Sequence, residues 1–140
     1  ESMQGWYLTA AAYWSEGENR QNGQPLNSIS PPQAVFGVNW HSASETWDLE
    51  LTSTLTAAKK DSDIDLSTGS RFASDSWTSF DLTAGWQAND SLELRAGIFN
   101  IGDQTYWRWL DVSRLEANDP MIPVLSRPGR NYSVTIRFQF

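Results

Sequence analysis

Tyr132-Ser-Val-Thr-Ile-Arg-Phe-Gln-Phe140 closes the chain with an apolar residue at every even position and a polar one at every odd position between. Successive side chains of a β-strand point to opposite faces, so this order predicts a strand with one apolar and one polar face. The same period recurs upstream. Leu92, Leu94, Ala96 and Ile98 alternate with Glu93, Arg95 and Gly97, and Phe80, Leu82, Ala84 and Trp86 with Ser79, Asp81, Thr83 and Gly85. Trp47, Leu49, Leu51, Leu55 and Ala57 share one face, opposite Asp48, Glu50, Thr52, Thr54 and Thr56. Two softer runs precede these: Ala34, Phe36, Val38 and Trp40, and Trp6, Leu8, Ala10, Ala12 and Trp14. Six strands and no helix are predicted.

The connections alternate in length. Residues 15–33, 59–76 and 102–131 are long, whereas His41–Thr46 and Gln87–Ser91 are short. All six prolines, Pro25, Pro31, Pro32, Pro120, Pro123 and Pro128, fall in the long connections, because proline cannot donate to a sheet ladder. A soluble sandwich has no reason to place every long loop at one end. A bacterial outer-membrane barrel does, with short periplasmic turns, long extracellular loops and antiparallel strands of about ten residues. On this reading the last strand descends from a long loop and the C-terminus is periplasmic.

Composition is compatible with that fold. The 140 residues include 17 acidic and 10 basic side chains, a formal charge of −7, and the pI is near 4.5. Nucleic acid is not expected as a partner, since phosphate binding needs a surplus of Lys and Arg on one face. With no cysteine, disulfides, Cys-based zinc sites and thiol chemistry are excluded. A mean hydropathy of −0.50 and the lack of a long apolar run exclude a transmembrane helix, but a barrel strand hides its lipid face by alternation. Glu1-Ser2-Met3-Gln4 has neither the basic nor the apolar region of a signal peptide; a processed start, or a start inside a larger protein, is expected.

Of the eight tryptophans, four are expected at strand ends. Trp40, Trp47 and Trp86 belong to the short-turn side and Trp14 with Tyr132 to the long-loop side, as in the aromatic girdles that anchor a barrel at two interfaces. The competing class is a soluble β-protein, lipocalin-like or lectin-like, with Trp47 and Phe80 buried between two stacked sheets.

Motifs in the last third carry a resemblance. Asn100-Ile-Gly-Asp103-Gln-Thr-Tyr106 resembles the Asn-Leu-Phe-Asp-x-x-Tyr motif at the penultimate strand of TonB-dependent outer-membrane receptors, with Ile and Gly where that family has Leu and Phe. Pro128-Gly129-Arg130-Asn-Tyr132 resembles the start of that family's last strand. Phe140, with Phe138, Ile136 and Tyr132 in register, resembles the signal read by the barrel-assembly machinery. Gln24-Pro25-Leu26 and Ile29-Ser-Pro-Pro32 resemble the stretch where a loop re-enters the wall. Tyr106-Trp107-Arg108-Trp109-x-Asp111-Val112 followed by Pro-Gly-Arg is similar to the haem and haemoglobin branch.

The resemblance implies an all-β, transmembrane antiparallel barrel segment: six up-and-down strands forming the last part of a 22-stranded barrel. Residues 1–140 would then be the C-terminal part of a receptor, without its plug domain and TonB box. It implies a Gram-negative outer membrane, with the lipid bilayer, the assembly machinery and TonB as partners. The parent would take up haem or a haem-protein, a ferric siderophore being the alternative and a passive porin-type channel the runner-up. No bond is made or broken in such transport, so no catalytic residue and no cofactor is expected.

Trp107, Arg108, Trp109 and Arg127 are the candidate ligand-contacting residues of the longest loop, because aromatic planes and guanidinium groups suit a flat ligand bearing carboxylates. Arg114 and Arg130 lie in the same loop, and packing against the barrel rim is the other reading of the whole group. His41, the single histidine, is expected in a short turn; with Ser42, Ser44 and Glu45 beside it in sequence it makes no hydrolytic triad, which is assembled from separate rigid elements. Asp61-x-Asp63-x-Asp65 opens like a calcium loop, but Leu66 and Phe72 stand where that motif has Gly and Glu. A solvated acidic loop, with weak cation binding left open, is the expectation. Asp48, Glu50, Asp81, Glu93, Arg95 and Arg137 are placed on the inner face in the periplasmic half, either as a seat for a plug or as cross-strand ion pairs.

Overall fold

Alternation becomes a single sheet. The computed structural model describes residues 5–67, 69 and 71–140. Six strands, β1 (Gly5–Tyr13), β2 (Gln33–His41), β3 (Trp47–Thr56), β4 (Trp77–Asn89), β5 (Leu92–Phe99) and β6 (Asn131–Phe138), lie side by side in chain order. Every neighbouring pair is antiparallel.

Register carries the apolar residues of each strand onto one common face. Leu8 lies opposite Val38, Val38 opposite Leu51, Leu51 opposite Leu82 and Leu82 opposite Ile98; Ile98 in turn faces Tyr132. A slip of one residue anywhere would turn a strand's whole apolar set inward. Among the described residues no second sheet covers this face, and Leu8 (79%), Phe36 (52%) and Ile136 (66%) remain exposed. Leaving that much apolar surface in water is unfavourable by about 25 cal/mol per Å², whereas in hydrocarbon the same face is solvated. The stacked-sheet alternative, with Trp47 and Phe80 inside, is overturned: they are 47% and 44% exposed.

The core sits elsewhere. Among the described residues the buried apolar side chains are Ile64, Trp77, Trp109 and Val112, all at the long-loop end. There the loops 14–32, 57–76 and 100–130 pack on one another, whereas the short-turn end has only the connections 42–46 and 90–91.

Three local features depart from expectation. β4 runs on to Asn89 through an irregularity between Gln87 and Asn89, so the turn starting at Gln87 shrinks to Asp90 and Ser91. His41 is the last residue of β2, paired with Asp48, because the ladder continues through the residue placed in the turn. Finally, the described loop residues include a helical turn, α1 (Trp109–Val112), and 3-10 turns at Asp61–Asp63 and Pro123–Leu125. A stretch this short shows no periodicity in sequence; α1 forms because it buries Trp109 and Val112 together.

Tryptophans collect at the short-turn end. Trp47 and Trp86 stack with ring centroids 5.5 Å apart, and Trp6 meets Trp40 at 6.3 Å; Trp6 joins this girdle in addition to the three expected there. Trp14 and Tyr132, 73% and 68% exposed, mark the opposite level.

Candidate functional site

Where β5 ends, Asn100 adopts φ +50°, a left-handed conformation that asparagine tolerates better than other side chains. Its backbone N–H donates to Asp81 Oδ1 at 2.8 Å. Its Nδ2 donates to the carbonyls of Gln104 (2.8 Å) and Pro128 (3.1 Å), and its Oδ1 accepts the Gln104 N–H at 3.0 Å. Asp103, also at positive φ, accepts the Arg130 N–H at 2.7 Å, while Arg130 Nε donates to the Ile101 carbonyl at 2.9 Å. Gly129 is required by space, since a Cβ there would lie 2.7 Å from Asp103 Oδ1. Tyr106 stacks on Trp77 with centroids 4.1 Å apart. The motif residues Asn100, Asp103, Tyr106, Pro128, Gly129 and Arg130 therefore meet in one clasp that ties β4, β5 and β6 at the rim.

Beyond the clasp, the three long loops are cross-linked. Trp109 Nε1 donates to the Asn27 carbonyl at 2.8 Å. Asn27 and Asp65 exchange two bonds, the Asp65 N–H to Asn27 Oδ1 at 2.7 Å and Asn27 Nδ2 to the Asp65 carbonyl at 3.2 Å. Lys59 Nζ donates to the Ile29 carbonyl at 2.9 Å and stands 5.2 Å from the centre of the Trp109 ring. Burial lowers the Lys59 pKa, with the nearby Asp63 charge pulling the other way. Asp65 is held below its ordinary value chiefly by hydrogen bonding from Ser67. No three His, Cys, Asp or Glu side chains converge among the described residues; Asp61 and Asp63 belong to the 3-10 turn.

A concavity of about 580 Å³ opens between this loop cluster and the inner faces of β1–β4. Tyr13, Asp81, Trp77, Tyr106, Arg108 and Asp111 contribute its aromatic and charged groups. The four candidate contact residues separate here. Arg108 is exposed and lines the concavity, and Trp109 reaches it while only 2% exposed. Trp107 meets Phe72 in a T-shaped arrangement with centroids 5.4 Å apart and donates to the Ile122 carbonyl at 2.6 Å. Arg127, half-buried, donates its backbone N–H to the Tyr106 carbonyl at 2.8 Å. Neither of these two lines the concavity. Trp77 is a site residue that sequence reasoning missed; its signal was a tryptophan on the polar side of its strand's alternation, opposite Thr56.

At the short-turn half, Glu93 bridges Arg95 (2.5 Å) and Arg137 (2.7 Å), and Arg95 reaches Asp48 at 3.5 Å. These are the cross-strand partners expected of Glu93 and Arg137. Asp81 is corrected: it lies opposite Thr52 in the half of β4 nearer the long loops, because its carboxylate anchors Asn100. His41 Nε2 and the Tyr7 hydroxyl are hydrogen-bonded at 2.9 Å, with their rings stacked.

An antiparallel wall with an apolar outer face, a polar inner face, aromatic belts and long loops at one end defines a membrane β-barrel segment. The family model "TonB dependent receptor-like, beta-barrel" matches residues 2–101. The chain belongs to that family. It is 31% identical, over 98% of its length, to hemoglobin-haptoglobin utilization protein B of Neisseria meningitidis serogroup C, and 26% identical over 99% to hemoglobin-binding protein A of Haemophilus influenzae. It covers 19% and 15% of those proteins, respectively, and so spans under a fifth of the relatives it matches. The copper transporter OprC shares the fold, with a TM-score of 0.79 at 18% identity over all of this chain and 22% of that one.

Proposed function

We propose that the protein containing this segment is an outer-membrane receptor that takes up haem or a haem-protein with energy supplied through TonB. The observation that carries the reading is the 31% identity to a hemoglobin-haptoglobin utilization protein over 98% of the chain. In this account the apolar face meets the bilayer of a Gram-negative outer membrane, the long loops face outward, and the C-terminus lies in the periplasm. A plug domain and a TonB-contact segment belong to other parts of that protein, and the Glu93–Arg95–Arg137 wall is the surface presented to the plug. Tyr132, Ile136, Phe138 and Phe140 are the strip read during assembly.

Arg108 is the residue proposed to meet the ligand, beside the stacked Tyr106 and Trp77 rings at the mouth of the lumen. A porphyrin offers a flat apolar face to aromatic side chains and carboxylates to guanidinium groups. Trp107, Trp109 and Arg127 support that surface by packing, as their contacts suggest. Transport alters no covalent bond, and the segment is assigned no enzymatic role.

The test is growth of a receptor-deficient strain carrying the full-length protein, with haem, haemoglobin or a ferric siderophore as sole iron source. Growth on haem or haemoglobin is expected. Growth on siderophore alone would overturn the haem assignment, and growth on neither would overturn iron uptake.

A further inference from the structure

Arg108, the residue proposed to meet the ligand, stands between two tryptophans whose indole N–H groups are both engaged. Trp107 Nε1 donates to the Ile122 carbonyl within the same loop, and Trp109 Nε1 to the Asn27 carbonyl of loop 14–32. Among the described residues no hydrogen bond or ion pair holds the Arg108 guanidinium itself. Its place at the lumen mouth is therefore set by the backbone on either side, through these two anchors. The Asn27 anchor is fixed in turn by its neighbours. The Leu26 N–H bonds the Gly17 carbonyl at 3.1 Å, and the Ile29 N–H closes a turn onto the Leu26 carbonyl at 3.1 Å. Lys59 Nζ holds the Ile29 carbonyl from loop 57–76, and the Asn27 side-chain amide bonds the Asp65 backbone in both directions. Gly17 leaves the room this needs, since a Cβ there would lie 2.6 Å from Ile29 Cδ1. Through its own bonds Asn27 joins loops 14–32, 57–76 and 100–130 at one residue.

We infer that Asn27 is a positioning residue for Arg108: it holds the Trp109 side of the Arg108 backbone, so that the guanidinium meets a ligand carboxylate from an already ordered chain. The ligand in this inference rests on the proposed function; the holding of the turn rests on the three-loop junction alone. Asn27 does not line the lumen-mouth concavity, whereas Arg108, Leu110 and Asp111 at the turn it holds all do. An exposed arginine loses freedom when it binds, and that ordering weakens affinity. A backbone ordered beforehand by the fold leaves only the side chain to be ordered on binding. A bidentate guanidinium–carboxylate pair is directional, so a displaced backbone harms it more than it would harm a point charge. The Trp109 N–H is directional in the same way, and its ring is only 2% exposed, so the anchor it forms is a stiff one.

The experiment uses the full-length receptor, purified in detergent and titrated with haemin and with haemin dimethyl ester, whose carboxylates are blocked. Arg108→Ala should weaken haemin binding about tenfold and leave the ester unchanged. Asn27→Ala, which removes the bonds to Asp65, and Trp109→Phe, which removes the indole N–H, should each weaken haemin about fivefold and spare the ester. Neither should add to the loss in an Arg108→Ala background, because both act through that side chain. Should Trp109→Phe fail to assemble, Asn27→Ala at its half-buried position carries the test. Equal weakening of haemin and ester, or losses that add to that of Arg108→Ala, would show a general structural role and overturn the inference. Unchanged haemin affinity in Asn27→Ala would overturn it too. A second arm needs no ligand. In a receptor with no other cysteine, a nitroxide on Leu110→Cys, a position 58% exposed, should give a restrained spectrum that sharpens in Asn27→Ala. An unchanged spectrum would overturn the inference whatever haemin does. Sharpening in a receptor that binds no haemin would remove the haem reading while supporting Asn27 as the residue that holds the turn.

Discussion

Asn100 uses both side-chain N–H groups, its side-chain oxygen and its backbone N–H in the rim clasp, and is 3% exposed. Asn100→Ala leaves the Gln104 and Pro128 carbonyls and the Gln104 N–H without that partner, and puts alanine at φ +50°. A loss of about 3 kcal/mol is expected, read as a lower unfolding midpoint of the full-length protein in detergent. Equal midpoints would mean that the clasp is ornamental. Lys59 makes a pH prediction. Burial lowers its folded pKa from 10.5, so the opened loops bind more protons than the packed ones between the folded value and 10.5. Packing of the loop cluster should therefore tighten as pH rises through that window, seen as slower proteolysis of loop 57–76 relative to a Lys59→Met control. A rate that changes equally in both would contradict the assignment.

Strands were legible in the sequence because each has one apolar and one polar neighbour phase, and that pattern is local. Tyr132–Phe140, Trp47–Ala57 and Leu92–Ile98 needed no tertiary information. The long-loop cluster was not legible. Trp109 is buried by Asn27 and Lys59, residues far away in sequence, and no period or spacing announces such a meeting. The motif Asn100–Tyr106 was visible by resemblance, but its role as a clasp depends on Asp81 and Pro128, contributed by other elements.

The two faces of β3 should respond oppositely to charge. Leu51 is on the apolar face and Thr52 on the inner one. Leu51→Lys should destabilise the barrel by about 2–4 kcal/mol and Thr52→Lys by far less, measured by reversible unfolding in lipid. Similar costs would mean that the outer face does not meet hydrocarbon. Two residues past β6, Phe140→Ala should lower the amount of full-length protein in the outer membrane more than it alters ligand affinity, since Phe140 lies at the end far from the long loops. Normal surface levels with lost binding would contradict the assembly role.

At the scale of the molecule, the sheet and the loop cluster divide the work of stability. The strands have one face for lipid and one for the lumen, and the packed apolar core lies where the long loops meet. Among the described residues the arc is open, with unpaired outer edges on β1 and β6. Such edges are costly in hydrocarbon, so the six strands are expected to complete a wall with strands from elsewhere in the full-length protein. The central claim is that this wall crosses the outer membrane with its long loops outside. The chain has no cysteine of its own, so introduced ones report position in a full-length protein freed of any others. With a membrane-impermeant maleimide on intact cells, Val124→Cys in the longest loop should label at once, and Asp90→Cys in the short turn only after permeabilisation. Leu51→Cys should resist the reagent in both conditions. Labelling of Asp90→Cys on intact cells with protection of Val124→Cys would reverse the orientation, and ready labelling of Leu51→Cys would contradict the membrane-spanning wall itself.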